Sequence, residues 1–302
     1  MKINDVASRV SWQVADAAQP SRTITLNGWD FGGQGPLALL HHANGMCAAM
    51  WAQVAVQLTD HYRVFAMDAR GHGDSAQLKV PDDYDWLYFA NDVAEVARQL
   101  CQTFGQGQIA HGIGSSFGGI VTASAAADHP GLFARVTMLD PPIHSRADVL
   151  AALSMEVGPT NSERAGLVEQ TLKRRDVWPD RKTAHAAWRD KPLFAPWQDA
   201  AFDLYVEEGM RELASGEVQL KCSPQVEAHI FQTTGDLGVL DYAPRVTVPV
   251  TLVHARRGFF EADFFRGVTT LFPHNRFLQL DAGHMLPLEV PDQVVDVLLD
   301  RE

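Results

Sequence analysis

Along residues 10–31 apolar and polar positions alternate, as in Val10-Ser11-Trp12-Gln13-Val14 and Thr23-Ile24-Thr25-Leu26, which predicts short β segments. Asn27-Gly28, a turn dipeptide, is expected to close the second of them. Beyond Gly35-Pro36 the alternation gives way to largely apolar runs, Pro36–Leu40 and Tyr62–Met67. Continuous apolar character at strand length suits a strand buried on both faces of a parallel sheet. A helix is predicted around 48–59, and another over 86–103, where Leu87, Ala90, Val93, Val96 and Leu100 recur at a 3.6-residue period. Gln108-Ile109-Ala110 opens the next strand, Phe117–Ala127 reads as a Gly/Ala-rich helix, and Arg135–Leu139 is a strand that stops at Asp140-Pro141-Pro142. Strand and helix in alternation predict an α/β fold with a mostly parallel, doubly wound sheet and right-handed crossovers.

Between about 143 and 243 this rhythm stops. No strand-like apolar run occurs there; charged helical stretches are predicted at 147–155, 162–176, 182–189 and 199–214, with Trp178, Trp188, Phe194, Trp197, Phe202 and Tyr205 among them. Val248–Val253 restarts the strand pattern, followed by a helix over 261–271, a strand at Arg276–Leu280 and a helix at 291–301 with Pro291 near its first turn. The chain therefore divides into a core, residues 1–142 and 244–302, and an inserted helical segment, 143–243.

Composition narrows the classes. At 302 residues the chain is long enough to bury a substantial core, and 46% hydrophobic with 21% charged residues is ordinary for a globular protein. A net charge of −12 without a Lys/Arg-rich run argues against nucleic acid and against anionic membrane, both of which need clustered positive charge. Three widely spaced cysteines, Cys47, Cys101 and Cys222, make a poor disulfide framework and fit a reducing compartment. The opening MKINDVASRVSWQV lacks a basic stretch leading into an apolar run, and no segment reaches the roughly 20 apolar residues of a spanning helix. A cytoplasmic location is expected.

The sharpest chemical signal is Gly114-Ser115-Ser116-Phe117-Gly118, a G-x-S-x-G between a strand and a Gly/Ala-rich helix. In that setting it is a nucleophile elbow, a turn so tight that only small flanking residues fit, and it presents Ser116 at its tip. Ser115 is not the nucleophile, because Ile113 and Phe117 flank it. An alcohol needs a base within hydrogen-bond reach. Among twelve histidines His284 is the choice, since it follows the last strand directly and opens at the carboxyl edge of the sheet, where ligand clefts form. His61, His129, His185 and His274 read as structural or surface residues. His41 and His42 lie in no H-x-H-x-D-H or H-E-x-x-H spacing, so they shape a loop and no metal site is expected. His72 orders the loop Asp68–Ser75.

With these residues in place the chain resembles the α/β-hydrolase superfamily over residues 36–141 and 246–300. His42-Ala43-Asn44-Gly45 is similar to its H-G oxyanion loop, with Ala43 where Gly is usual. Asp68-Ala69-Arg70-Gly71-His72-Gly73-Asp74-Ser75 is similar to its D-x-R-G-x-G-x-S loop, and Asp281-Ala282-Gly283-His284 to the G-H that supplies the base. The resemblance implies a Ser-His-acid triad without a cofactor, oxyanion donors at the backbone N–H of Asn44 and Phe117, and a helical cap after the sixth strand. The Asn44 side chain is either a third donor or a plain turn residue. The acid is the open point. The family's usual position after the seventh strand holds His254-Ala255-Arg256-Arg257-Gly258, with no carboxylate before Glu261 and Asp263. Asp140, after the sixth strand, is the family's alternative and is preferred here, then Asp263, then Glu261; Asp281 is expected to cap its loop.

A cap rich in Trp and Phe over Ser116 suggests an apolar roof for a substrate, with Trp178, Trp188 and Trp197 as candidates and Met46 and Trp51 facing the same cavity, while any single cap aromatic reads first as packing between cap helices. The expected activity is hydrolysis of a small, fairly apolar ester, thioester or lactone. Cleavage of a carbon–carbon bond in a β-diketone with the same triad is the alternative, and a non-catalytic ligand-binding protein is the alternative of another class. The acidic surface favours a neutral or weakly charged substrate.

Overall fold

The computed structural model describes residues 1–143, 161–234, 238–259 and 261–301. Among them the chain forms β1 (Ser8–Ala15), β2 (Thr23–Gly32), β3 (Leu37–His41), β4 (Arg63–Met67), β5 (His111–Ser115) and β6 (Val136–Leu139). Within the inserted segment follow β7 (Val177–Trp178), β8 (Met210–Glu212) and β9 (Val218–Leu220), and after it β10 (Val250–Ala255) and β11 (Asn275–Leu280). Eight strands make one sheet in the order β1-β2-β4-β3-β5-β6-β10-β11. The pairings β1–β2 and β2–β4 are antiparallel and all the others in that sheet are parallel.

The apolar runs become the two-faced centre of this sheet. All five residues of β3 are buried. Leu37 and Leu39 face the layer that contains helices Trp86–Phe104 and Phe117–Asp128, whereas Ala38 and Leu40 face the layer of helices Ala52–Leu58 and Pro291–Leu298. Two details differ from the sequence expectation. Asn27-Gly28 is no turn but lies inside the ten-residue β2, where Gly28 pairs with Val10 on one side and Met67 on the other. Glycine is required there by packing, because a Cβ would overlap the Ala66 carbonyl and come within 2.9 Å of the Trp12 ring. The strand expected from Gln108 starts at His111, and Ile109 makes only an isolated bridge to Phe133.

In the inserted segment, helices run over Asn161–Leu172, Arg181–Trp188, Asp199–Glu208 and Pro224–Thr233. The helix predicted at 147–155 lies outside the described residues. The segment is not purely helical, since β7, β9 and β8 form a three-stranded antiparallel sheet in that order. The helix expected to run to 214 stops at Glu208, and Met210–Glu212 becomes a strand. Strands of two or three residues carry no readable period, which is why they were not visible. Asp180 and Ser223 start two of the helices by accepting the backbone N–H of Thr183 and Val226. The aromatic residues of the segment merge with the core layer holding Met46 and Trp51. No helix among the described residues is long and apolar enough to cross a membrane.

Candidate active site

The carboxyl ends of β3, β5, β6 and β10 gather the chemistry at one edge. Ser116 follows β5 and precedes the helix Phe117–Asp128, with φ +52° and ψ −123°, a conformation L residues adopt only under constraint. The constraint is the pair of glycines. A Cβ on Gly114 would overlap the backbone of Gly118, and one on Gly118 would overlap the His41 carbonyl and come 2.6 Å from that of His42.

Ser116, His284 and Asp140 form one hydrogen-bonded chain. His284 Nδ1 lies 2.6 Å from Asp140 Oδ2, and His284 Nε2 lies 2.9 Å from Ser116 Oγ. An ionised carboxylate only accepts, so Nδ1 carries the proton and Nε2 accepts from the Ser116 hydroxyl. Asp140 is fully buried, and its second oxygen accepts the Ala255 N–H of β10 at 2.9 Å. Gly258 makes room for this carboxylate: a Cβ there would stand 2.7 Å from Asp140 Oδ2. The loop after β10, where a carboxylate was sought, thus supports one arriving from β6. Glu261 and Asp263 are exposed at the start of helix Ala262–Thr269, and Asp281 pairs with Arg257 on the surface. Sequence inspection missed Phe259. It is 72% exposed, and its ring centroid lies 4.8 Å from that of His284. An aromatic residue directly after Gly258 was the available signal.

The loop after β3 is fixed by buried histidines. His42 Nδ1–H donates to the Ala43 carbonyl at 2.8 Å while Nε2 accepts the Ala69 N–H at 3.0 Å. His72 Nδ1–H donates to the Arg70 carbonyl at 3.0 Å and Nε2 accepts the Gly45 N–H at 3.1 Å. Both arrangements need a neutral ring. Burial lowers His42 to about 4 and, with neighbouring His42, His72 to about 3; His41 is pushed well below its usual value for the same reasons. His72 therefore orders more than its own loop, since it also holds the turn at Gly45. The Asn44 side chain is not a free donor: its Nδ2 donates to the Glu227 carbonyl at 3.0 Å, tying the loop to the inserted segment. Among the described residues the backbone N–H groups of Asn44 and Phe117 have no protein acceptor.

A narrow apolar cavity adjoins this edge, lined by His42, Ala43, Met46, Met50, Trp51, Ser115, Met285, Pro287 and Leu288. Met46 and Trp51 line it. Trp178, Trp188 and Trp197 do not line it. They pack with one another and with Phe194 and Tyr205, for example Trp178 on Trp188 at 5.3 Å and Trp197 on Phe194 at 4.9 Å between ring centroids. These tryptophans pack inside the inserted segment, in an apolar layer that continues into the core beside Met46 and Trp51. Among the described residues no cluster of three His, Cys, Asp or Glu is arranged to hold a metal ion.

Comparison with known proteins places the fold. The family described as alpha/beta hydrolase fold matches residues 36–291. A pimeloyl-[acyl-carrier protein] methyl ester esterase of Aeromonas salmonicida is 33% identical over 144 residues, 47% of this chain and 53% of that protein. A 2-(acetamidomethylene)succinate hydrolase of Mesorhizobium japonicum is 33% identical over 134 residues, 44% of this chain and 45% of that protein. The chain thus spans about half the length of the curated relatives it matches. Over almost the whole chain the fold is shared with the crystal structure of E-2-(acetamidomethylene)succinate hydrolase, at TM-score 0.73 and 22% identity covering 97% of this chain and 98% of that one. A thioesterase domain from the curacin biosynthetic pathway superposes at TM-score 0.73 with 18% identity, covering 97% of this chain and 99% of that one.

Proposed function

The chain belongs to the α/β-hydrolase fold family, and from that premise we propose that it is a serine hydrolase cleaving a small, fairly apolar ester, thioester or lactone through an acyl-enzyme on Ser116. The observation that carries this is the unbroken hydrogen-bond chain from Ser116 through His284 to Asp140, beside two backbone N–H groups that find no acceptor among the described residues. The similarity to a pimeloyl-[acyl-carrier protein] methyl ester esterase agrees with acyl transfer.

The steps follow from the positions. Ser116 Oγ attacks the acyl carbon while its proton passes to His284 Nε2, and Asp140, which accepts from Nδ1–H, stabilises the imidazolium that forms. Charge developing on the carbonyl oxygen meets the N–H groups of Asn44 and Phe117, donors fixed before the reaction starts and therefore effective in lowering its barrier. His284 then returns the proton to the leaving oxygen or sulfur, and the same residues run the second half with water as nucleophile. The neutral His42 and His72 hold the loop that aims the Asn44 N–H. The inserted segment 143–243 acts as a cap over this edge, with Asn44 anchored to it at Glu227.

A panel of p-nitrophenyl esters, thioesters, lactones and β-diketones, followed by product mass spectrometry, tests the proposal. Turnover of acyl substrates by the native chain and none by Ser116→Ala is expected. Carbon–carbon cleavage without ester turnover, or activity retained in Ser116→Ala, overturns it.

A further inference from the structure

One buried hydroxyl beside the site has no role in this mechanism. Ser115 is 3% exposed, its Oγ has no hydrogen-bond partner among the described residues, and it lines the narrow cavity next to the nucleophile. The strand alternation turns its side chain toward the layer of Ile113, Met50 and Trp51. Most of the wall is apolar: Met46, Met50, Trp51, Met285, Pro287 and Leu288. The ring nitrogens of His42 are both engaged in the loop. A buried hydroxyl without a partner is unfavourable, so a group that completes it inside an apolar cavity gains on binding.

Resting on the serine-hydrolase proposal above, we infer that this cavity is the acyl subsite, that it takes a short unbranched acyl chain, and that Ser115 Oγ recognises an oxygen on that chain close to its scissile end. The two ends of the site differ in a way that assigns the acyl side. The cavity is narrow and partly open to the surface, and it is walled by Ala43 and Ser115, the residues immediately before Asn44 and Ser116, which places it on the oxyanion side of the reaction centre. On the other side of the reaction centre His284 carries the exposed ring of Phe259, so the leaving group departs toward solvent along that face. The cavity is narrow, and three methionines in its wall, unbranched and adaptable, allow it to open around a thin chain. A site built to hydrogen-bond a substrate oxygen discriminates against the analogue lacking it more strongly than an apolar pocket discriminates by size.

The test compares p-nitrophenyl 3-hydroxybutyrate with p-nitrophenyl butyrate, so that the leaving group is constant and one oxygen differs. In the native chain kcat/KM is expected to favour the hydroxylated ester, and Ser115→Ala to lower that ratio about tenfold. Leu288→Phe, which fills the cavity without touching Ser115 chemistry, is expected to lower kcat/KM for hexanoate relative to acetate at least tenfold, while acetates of longer alcohols keep their order. An unchanged hydroxybutyrate-to-butyrate ratio in Ser115→Ala overturns the role of Ser115. Loss confined to the long-alcohol acetates in Leu288→Phe shows the cavity to be the leaving-group side and overturns the assignment. Absence of all ester turnover in the native chain is a different result, which refutes the serine-hydrolase proposal and this inference with it.

Discussion

Replacing Asp140 by Asn changes one atom and reverses the direction of the hydrogen bond that matters. The native carboxylate accepts twice, from Ala255 N–H at 2.9 Å and from His284 Nδ1–H at 2.6 Å. An amide offers only one acceptor. If the oxygen stays on Ala255, the NH2 group faces His284 and is matched only by the tautomer with its proton on Nε2, which donates toward Ser116 instead of receiving its proton. If the amide flips, two N–H groups oppose each other at Ala255 in a fully buried site, at a cost of about 1–3 kcal/mol. The first arrangement wins, and the base is disabled. Wrong-tautomer substitutions of this kind lower kcat by ~10⁴-fold, roughly 5 kcal/mol of barrier. Folding stability should change by less than about 2 kcal/mol, because shape and volume are kept. Steady-state hydrolysis of p-nitrophenyl acetate with urea unfolding as the control measures both. Asp263→Asn and Glu261→Gln should behave as the native chain, both side chains being exposed. Asp140→Asn retaining more than a tenth of native kcat, or Asp263→Asn losing it, refutes the argument.

Further outcomes follow from the same geometry. Gly118→Ala forces a Cβ against the His41 and His42 carbonyls, so it should destabilise by about 2 kcal/mol or more in urea unfolding and disturb Ser116 as well. Arg174→Ala removes the partner that the buried Glu227 holds at 2.7 Å, and a stability loss of about 3 kcal/mol with a lowered kcat is expected, since the Glu227 carbonyl anchors Asn44. Stability should fall with acid: the folded chain holds His42 at about 4 and His72 at about 3, below the unfolded 6.5, so each contribution is complete above pH 6.5 and is lost below it. The loss is about 1.4 kcal/mol per pH unit for each histidine. Asp68, raised by burial to about 6, acts in the opposite sense by taking up a proton first in the folded state, and offsets one histidine between about pH 6 and 4. Urea unfolding at pH 7.5 and 5.0 measures the balance, and equal stabilities contradict it.

Much of the sheet was legible because a strand buried on both faces writes itself as an unbroken apolar run, as Leu37–Leu40 does. The elbow was legible for a steric reason: Gly114 and Gly118 are both needed, and their i, i+4 spacing survives in any reading of the chain. Other features depend on residues far apart in sequence. The second use of Asn44, bonded to Glu227 183 residues away, has no local signature, nor does the support that Gly258 gives Asp140. Trp178, Trp188 and Trp197 showed a need for apolar burial but not its direction, so a pocket wall and an aromatic interior read alike. Gly28 was taken for a turn because Asn-Gly commonly is one; what decides it is the closeness of Trp12 and Ala66, which only pairing brings there.

Everything above turns on whether Ser116 is a nucleophile. Incubating the chain with an alkyl fluorophosphonate and mapping the adduct by peptide mass spectrometry tests that directly. One equivalent bound at Ser116, with parallel loss of p-nitrophenyl acetate hydrolysis and no adduct in His284→Ala, is the predicted result. No adduct under conditions where the chain is folded, or an adduct on any residue other than Ser116, contradicts the account.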